Sequence, residues 1–224
     1  MIPGMQIEAP LILIVDDDEN LRQSLQSLLR SVGFRVQPFA SARELLDSYA
    51  AREAHCMVLD VRMPIASGFD LQADLQRNAI KVPIVFITGH GDIPMGVRAM
   101  KAGAVDFLTK PFRDQDLLDA VAAAVEADRK RRADEDLVGD LVDRYADLSD
   151  REKQVMSLAT AGLMNKQIAF ELGLSEITVK IHRGRVMRKM QAQSFAELVR
   201  MADALGVKAE ITLSSAAGCY GGRR

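Results

Sequence analysis

Five polar side chains in the first half of this chain stand at the ends of apolar runs: Asp16, Asp17, Asp60, Thr88 and Lys110. Carboxylates that share one site do not all stay ionised without a cation, and oxygen ligands suit Mg2+. An ammonium and a hydroxyl beside them could neutralise and hydrogen-bond the oxygens of a phosphoryl group carried on a carboxylate. The combination therefore indicates phosphoryl chemistry at a magnesium site, provided that the fold brings these residues together.

The runs that precede these residues alternate with amphipathic stretches, which is the pattern of parallel strands joined by helices. Five βα units are expected, with strands at Leu11–Val15, Arg35–Phe39, Cys56–Leu59, Val82–Thr88 and Val105–Thr109. Ligands of an open parallel sheet bind outside the carboxyl ends of its strands, so the polar residues should meet in one crevice. The predicted fold class of residues 11–127 is α/β, a doubly wound five-stranded parallel sheet.

The second half of the chain carries a different chemistry, because it places cations on one predicted helix. Residues 175–190 contain five Lys and Arg side chains against Glu176 alone. A shorter helix predicted over residues 165–172 precedes them, and only two residues separate the pair, as in a helix-turn-helix. The apolar residues of the second helix form one stripe for packing on Val155, Leu158, Ile168, Ala169 and Leu172: Val179, Val186 and Met190. This all-α region could therefore place a basic helix in a DNA major groove.

Helix signals delimit this region and leave its connection to the first half open. Ser149 to Glu152 and Ser194 to Glu197 are each typical of a capping box at the start of a helix. Residues 128–147 are densely charged, but their few apolar residues keep a helical period. Two interpretations remain: a solvated linker, or a helix that begins near Asp114 and continues as a rod about 50 Å long.

Composition favours a globular protein with two differently charged halves. The chain has 224 residues, of which 48% are hydrophobic and 27% charged. Residues 1–128 contain 12 Lys and Arg side chains against 18 Asp and Glu, whereas residues 149–224 contain 12 against 7. No run reaches the roughly 18 apolar residues of a membrane span, and two differently placed cysteines, Cys56 and Cys219, do not suggest disulfides. We therefore expect a cytoplasmic protein with no membrane partner and a polyanion partner for its basic half.

Four segments of the first half resemble the motifs of two-component receiver domains. They are Val15 to Glu19, Leu59 to Pro64, Ile87 to Asp92 and Asp106 to Phe112. The resemblance covers roughly residues 12–127 and implies the flavodoxin-like receiver fold. It also implies phosphorylation of Asp60 by a cognate sensor histidine kinase.

The resemblance assigns further roles within the receiver. Asp17, Asp60 and the main-chain carbonyl of Arg62 would bind Mg2+, with Asp16 assisting through water. Thr88 and Phe107 would move on phosphorylation, and Lys110 would complete the switch. A cis peptide bond between Lys110 and Pro111 is also implied.

The segment from Leu148 to Ala204 resembles the LuxR-type helix-turn-helix. Gly162 to Ala169 and Thr178 to His182 carry this likeness most clearly, and with the receiver motifs they bring the chain close to the FixJ family of response regulators. The resemblance assigns DNA contacts to Lys166, Thr178, Lys180, Ile181 and Arg188. From the helix face we add Arg185, and we interpret Lys180, Ile181 and Arg185 as candidates for base edges, Ile181 against thymine methyl groups.

These features together predict a transcription regulator controlled by phosphorylation. The phosphorylated receiver would form a homodimer through residues 93–102 and 105–108, with Ile93, Val97, Lys101 and Val105 at the interface. The dimer would bind promoter DNA and, by resemblance, activate transcription with RNA polymerase. The predicted domains are a disordered segment 1–10, the receiver 11–127, a charged and helical linker 128–147, the DNA-binding domain 148–206 and a flexible tail 207–224.

Two other classes of function remain open at this point. A metal-dependent phosphatase with an aspartate nucleophile could use the same pocket, although no second acid or base for turnover is evident. An interaction protein that works without phosphorylation could keep the acidic pocket for structure alone. We expect the regulator, and therefore no enzyme activity on a separate substrate.

Overall fold

The computed structural model describes residues 8–89 and 93–207. Predictions for residues 1–7, for His90 to Asp92 in the third receiver motif, and for Cys219 and the rest of the tail 208–224 lie outside the described residues. Two compact units divide between Ala133 and Asp134. None of the described helices combines the length and the apolarity that a membrane-spanning segment requires.

A five-stranded parallel sheet forms the centre of the first unit. Its strands lie in the order β2-β1-β3-β4-β5, with β1 at Leu11–Val15, β2 at Arg35–Phe39, β3 at Cys56–Asp60, β4 at Ile84–Thr88 and β5 at Asp106–Thr109. The fold class is the predicted one, since the chain winds outwards on both sides of β1 and β3. Two strands begin later than predicted, β4 after Pro83, which has no N–H to donate, and β5 at Asp106.

Helices cover both faces of this sheet. They are α1 at Glu19–Ser31, α2 at Ala42–Asp47, a short 3-10 helix at Ala50–Arg52, α3 at Gly68–Arg77, α4 at Ile93–Lys101 and α5 at Asp114–Ala146. Alternate residues of each strand enter two separate cores, because successive side chains point to opposite faces. Leu13 and Leu59 pack with α2 to α4 in one core, whereas Ile14 and Val58 pack with α1 and α5 in the other.

The described part of the second unit, residues 134–207, contains the end of α5 and four further helices. They are α6 at Asp150–Thr160, α7 at Asn165–Leu172, α8 at Glu176–Lys189 and α9 at Phe195–Ala204. The apolar stripe of α8 divides between two cores, which corrects part of the predicted packing. Val179 packs with Val155 and Ile168 as expected, but Val186 and Met190 pack with Leu148, Met156, Leu198 and Ala202 instead.

The charged segment 128–147 is largely helical in the structure. Helix α5 continues to Ala146 without interruption, which agrees with the second of the two interpretations of this segment. Each end of α5 enters the core of one unit: Leu117 and Val121 pack in the first, and Leu141 and Tyr145 pack in the second.

The beginning of the described chain is attached to the sheet. Arg35 donates a hydrogen bond from its backbone N–H to the carbonyl of Pro10, and its guanidinium pairs with Glu8 at 2.9 Å. Glu8 and Pro10, which belong to the segment predicted as disordered, therefore contact β2. Cys56 is a buried free thiol in β3, and the described residues contain no disulfide.

Candidate functional sites: an acidic pocket and a basic helix

The register of the sheet brings the predicted polar residues to one edge. Val15 lies opposite Leu59, so Asp16 lies beside Asp60 where β1 and β3 end. Thr88 lies opposite Thr109 at the ends of β4 and β5, and the N–H of Lys110 donates to the carbonyl of Thr88 at 2.8 Å. Residues up to 94 positions apart in the sequence thus meet where the strand order reverses, which is the usual ligand site of such sheets.

Lys110 occupies the centre of this acidic pocket. Its ammonium donates hydrogen bonds of 2.7 Å to one carboxylate oxygen each of Asp16 and Asp60. Asp16 is fully buried and Asp60 almost so. The peptide bond between Lys110 and Pro111 is cis, as the resemblance implies. The ammonium therefore places a positive charge between two carboxylates that would otherwise repel each other.

Burial and pairing shift the proton equilibria of the pocket. Burial raises the pKa of Asp16 above its usual value, and the hydrogen bond from Lys110 offsets only part of this effect. Burial alone would lower the pKa of Lys110, but its hydrogen bonds to Asp16 and Asp60 outweigh burial and raise it. Lys110 therefore stays protonated at neutral pH and supplies a fixed positive charge to the pocket.

Asp17 completes a set of three carboxylates that a hard cation would fit. Oxygens of Asp16, Asp17 and Asp60 all lie within 4.8 Å of one another. Among the residues that the structure describes, this is the only group of three or more metal-binding side chains. Arg62, whose carbonyl is the predicted fourth ligand, donates its N–H to Asp60 at 3.0 Å while its side chain is exposed.

The predicted switch residues lie beside the pocket in different environments. Thr88 is fully buried, whereas the Phe107 ring is half-buried and packs against α4. A side chain at Gly96 of α4 would stand 3.4 Å from this ring. The ring and the helix are thus in close contact.

Two residues that support the pocket were missed by the sequence reasoning. Arg22 of α1 donates to the main-chain carbonyl of Asp16 at 2.6 Å and so fixes the corner that carries Asp16 and Asp17. A Cβ on Gly68 would lie 2.5 Å from the carbonyl of Asp60, which excludes any larger residue there. A glycine eight residues after Asp60 is a detectable signal, but nothing in the spacing of Arg22 indicates its carbonyl partner.

The predicted dimer face is partly apolar and exposed. Ile93 and Val97 of α4 are 85% and 48% exposed, and Lys101 is also exposed. Met100, which the prediction did not single out, is 49% exposed. Val105 differs from these residues because it is half-buried and packs against the core on the α1 and α5 side.

The helix-turn-helix of the second unit is built by caps and one glycine. Gly173 ends α7 in the left-handed region at φ 63°, a conformation that glycine adopts without the cost of a Cβ clash. The Ser175 hydroxyl then accepts the N–H of Thr178 at 3.1 Å and begins α8. These local signals fix the turn between α7 and α8, as the sequence predicts.

The five cations of α8 fall into two groups. Lys180, Arg185 and Arg188 are exposed, and none of them has an ion pair among the described residues. Arg183 instead donates to the Asn165 side chain at 2.9 Å, and Lys189 pairs with buried Glu152 at 2.8 Å. Three of the five positive charges are therefore available to an external polyanion.

The remaining predicted DNA contacts surround these cations. Lys166 of α7 is exposed, and Thr178 is half-buried at the start of α8. Ile181 is 50% exposed. His182 is half-buried, and the described residues place no metal-binding group with it.

Two protein families match most of the chain. Residues 12–122 match the family "Response regulator receiver domain" and residues 146–202 match "Bacterial regulatory proteins, luxR family". Nodulation protein W of Bradyrhizobium diazoefficiens is 58% identical over 202 residues, 90% of this chain and 89% of that protein. Transcriptional regulatory protein FixJ of Rhizobium meliloti is 46% identical over 86% of this chain and 95% of its own length.

Solved structures agree with these matches. The structure of the response regulator StyR is 47% identical in sequence, covers 87% of this chain and 98% of its own, and has a TM-score of 0.77. Full-length FixJ from B. japonicum is 43% identical, with coverages of 88% and 97% and a TM-score of 0.54.

Proposed function

The chain belongs to the two-component response regulators that join a receiver domain to a LuxR-type DNA-binding domain, and we propose that phosphorylation of Asp60 controls its DNA binding. Members of this family regulate transcription and are not enzymes. The observation that carries the proposal is the position of the Lys110 ammonium, which bridges Asp16 and Asp60 at the reversal of strand order. A strong positive charge beside a nearly buried carboxylate favours an anionic phosphoryl group there.

The phosphoryl donor is a phosphohistidine of a cognate sensor histidine kinase. An oxygen of Asp60 attacks the phosphorus, and the imidazole leaves with the electron pair of the broken P–N bond. Lys110 neutralises charge on the phosphoryl oxygens, and the Thr88 hydroxyl donates to one of them after it turns toward the pocket. Arg22 and Gly68 act as positioning residues, because they fix the backbone at Asp16 and Asp60.

The donor set of the pocket supports Mg2+ as the cofactor. The carboxylates of Asp17 and Asp60 and the carbonyl of Arg62 would hold it, with Asp16 assisting through water. Bound Mg2+ would supply further positive charge for the phosphoryl oxygens. The spacing of the three carboxylates, within 4.8 Å, supports this assignment.

Phosphorylation would act on the second unit through dimer formation. Movement of Thr88 and inward rotation of Phe107 would shift α4, against which the Phe107 ring packs. The shifted face with Ile93, Val97 and Lys101, bordered by Val105, then pairs with the same face of a second copy. Dimerisation raises the affinity for DNA because two modest contacts act together on one twofold site.

In the DNA-binding domain, α8 lies in the major groove. Lys166, Thr178 and Arg188 contact the phosphates, while Lys180, Ile181 and Arg185 contact base edges. Three exposed cations on one helix, none of them in an ion pair with another described residue, support this role. The dimer activates promoters together with RNA polymerase, in the cytoplasm where promoter DNA is accessible.

The molecular mass of the full chain in solution tests this mechanism. With Mg2+ and a small phosphodonor, wild type should shift from monomer to dimer, and Asp60→Asn should not. Asp47→Asn is a matched control, because Asp47 is an exposed carboxylate of α2 and does not belong to the acidic pocket. A dimer that forms equally in Asp60→Asn, or a phosphorylated wild type that stays monomeric, would contradict the mechanism.

A further inference from the structure

Two isoleucines on α8 are exposed where a soluble helix usually carries polar residues. Ile177 is 74% exposed and Ile181 is 50% exposed, and the two lie one helical turn apart. A β-branched side chain has no advantage at an exposed helical position, because its rotamer freedom is restricted there. One exposed isoleucine needs no explanation, but two on one line of a helix do.

The isoleucines lie on the side of α8 that points away from the other helices of the second unit. The residues that α8 buries are Val179 and Val186. At 3.6 residues per turn, Ile177, Ile181 and Gly184 project on the opposite side of the helix. Lys180 and Arg185 flank this line, so the outer face has an apolar centre between cations.

Gly184 makes the centre of this face flat. A Cβ at position 184 would meet nothing within 4 Å, and the residue is in an ordinary helix, so neither packing nor backbone conformation requires glycine. Glycine weakens a helix interior relative to alanine. A surface that lacks a side chain here lets a flat partner approach the helix backbone closely.

We propose that Ile177, together with Ile181, reads thymine methyl groups of the operator. The inference rests on the proposed DNA-binding function and adds Ile177 as a specificity-determining residue in the first turn of α8. Thymine is the base that presents a methyl group in the major groove, and apolar side chains recognise it by contact. The first turn of a recognition helix is the part that reaches base edges, and the flanking Lys180 and Arg185 contact neighbouring base edges.

The same face of α8 predicts part of the base sequence of the operator. Ile177 and Ile181 should each specify a thymine within one half-site. Gly184 should leave the base pair under the third turn of α8 unspecified, because it offers no side chain to that position. The operator should therefore contain two constrained thymines next to a degenerate position.

The test selects operators from random duplex DNA with phosphorylated full-length wild type and then replaces each selected thymine by deoxyuridine. This exchange removes only the methyl group. We expect two positions at which wild-type affinity falls about three- to fivefold, as burial of one methyl group requires. In Ile177→Ala, exchange at one of the two positions should have no further effect, whereas the effect at the other position should persist.

Controls separate loss of contact from loss of structure. Alanine favours helix, so Ile177→Ala should keep α8 folded, and unchanged circular dichroism verifies this. Leu137→Ala removes an apolar side chain of similar exposure, 64%, from α5 and should leave both positions sensitive to the exchange. If wild type selects an operator that tolerates every exchange, or if Ile177→Ala loses no sensitivity, the role of Ile177 is wrong while DNA binding stands. If wild type selects no sequence, the proposed function fails and this inference fails with it.

Discussion

The acidic pocket of the first unit and the basic helix of the second place their charges in opposite ways. In the pocket, Asp16, Asp60 and Lys110 come from three segments far apart in the chain and are brought together in a buried site. On α8, Lys180, Arg185 and Arg188 come from one helix and face solvent. The first arrangement depends on the register of a sheet, whereas the second needs only a helical repeat and a buried stripe.

This difference determines how strongly each charge depends on its neighbours. Asp16 and Asp60 are shielded from water, so the interaction of each with Lys110 is strong and the loss of one charge leaves the others uncompensated. Lys180, Arg185 and Arg188 are solvated and screened by salt, so each acts nearly independently. Substitutions in the pocket should therefore have larger and more coupled effects than substitutions on α8.

The largest effect is expected for Asp60→Asn, which should abolish phosphorylation. An amide cannot attack phosphorus as a carboxylate oxygen does, but it can still accept the Arg62 N–H, so the fold should persist. Intact-protein mass spectrometry after incubation with Mg2+ and a small phosphodonor measures the outcome.

Asp47→Asn again provides the control, because it also removes one carboxylate but leaves the pocket unchanged. Phosphorylation of Asp60→Asn to the same extent as wild type would locate the modified residue elsewhere. The buried charges of the pocket would then not be the site of phosphorylation.

The next effect concerns stability, and Lys110→Met should destabilise the first unit by about 2–4 kcal/mol without Mg2+. Asp16 and Asp60 would lose the cation that holds their carboxylates together, and their repulsion would add to the cost of burial. Added Mg2+ should restore part of the loss, because the same carboxylates would bind it. Urea unfolding with and without Mg2+ measures both changes.

Lys180→Met makes the same chemical change on α8 and should alter stability by less than about 0.5 kcal/mol. Comparable losses in the two variants would show that burial of the charge does not decide its importance. A loss in Lys110→Met that Mg2+ leaves unchanged would argue against the carboxylates as its ligands.

Much of the fold follows from patterns within single elements. The apolar runs predict β1, β3 and β4 because parallel strands buried on both faces are almost continuously apolar, whereas the edge strand β2 alternates exposed and buried residues. The boundaries of α6 to α8 follow from Ser149, Gly162, Gly173 and Ser175, whose roles as caps are local. The carboxyl ends of parallel strands lie at one edge of the sheet. The positions of the strand ends are therefore enough to predict that Asp16, Asp60, Thr88 and Lys110 form one site.

Other features were not predictable because they depend on contacts between distant elements. The carbonyl partner of Arg22 requires α1 to cross the end of β1. Likewise, Arg183 looks like Arg185 in the sequence, but it donates to Asn165 and its guanidinium lies 4.9 Å from the centre of the Phe195 ring. A helical repeat identifies the outward face of α8. It does not show which cations beside that face pair with residues of other elements.

A buried carboxylate in the second unit tests whether a charge interaction is strong because it is buried or because it belongs to the acidic pocket. Glu152 is buried, and the hydrogen bond from Lys189, with the N–H of Ser149, lowers its pKa to about 2. Glu152→Gln should therefore lower the free energy of unfolding of the second unit by about 2 kcal/mol at neutral pH, the half-exposed Lys189 limiting the effect.

The pH dependence of this effect has a definite sign. Because the folded-state pKa of Glu152 lies below its usual 4.5, its contribution is complete above that pH and is lost as the pH falls toward about 2. Unfolding of wild type and Glu152→Gln from pH 7 to 2 should therefore converge at low pH. Glu171→Gln, an exposed change on α7, should show no such difference. A constant gap between wild type and Glu152→Gln across this range would contradict the prediction.

The smallest effect separates two arginines of the same helix. Arg188 is exposed, so Arg188→Gln should weaken DNA binding severalfold and make the dependence of log affinity on log salt about 0.9 less steep, as loss of one phosphate contact requires. Arg183 carries the same charge, but it is engaged with Asn165 and Phe195. Arg183→Gln should therefore reduce stability and leave the salt dependence unchanged. Affinity titrations at several salt concentrations distinguish the two variants. Equal salt dependences of the two variants would contradict the prediction. Net charge alone would then explain the binding, and exposure on α8 would not identify the cations that neutralise DNA.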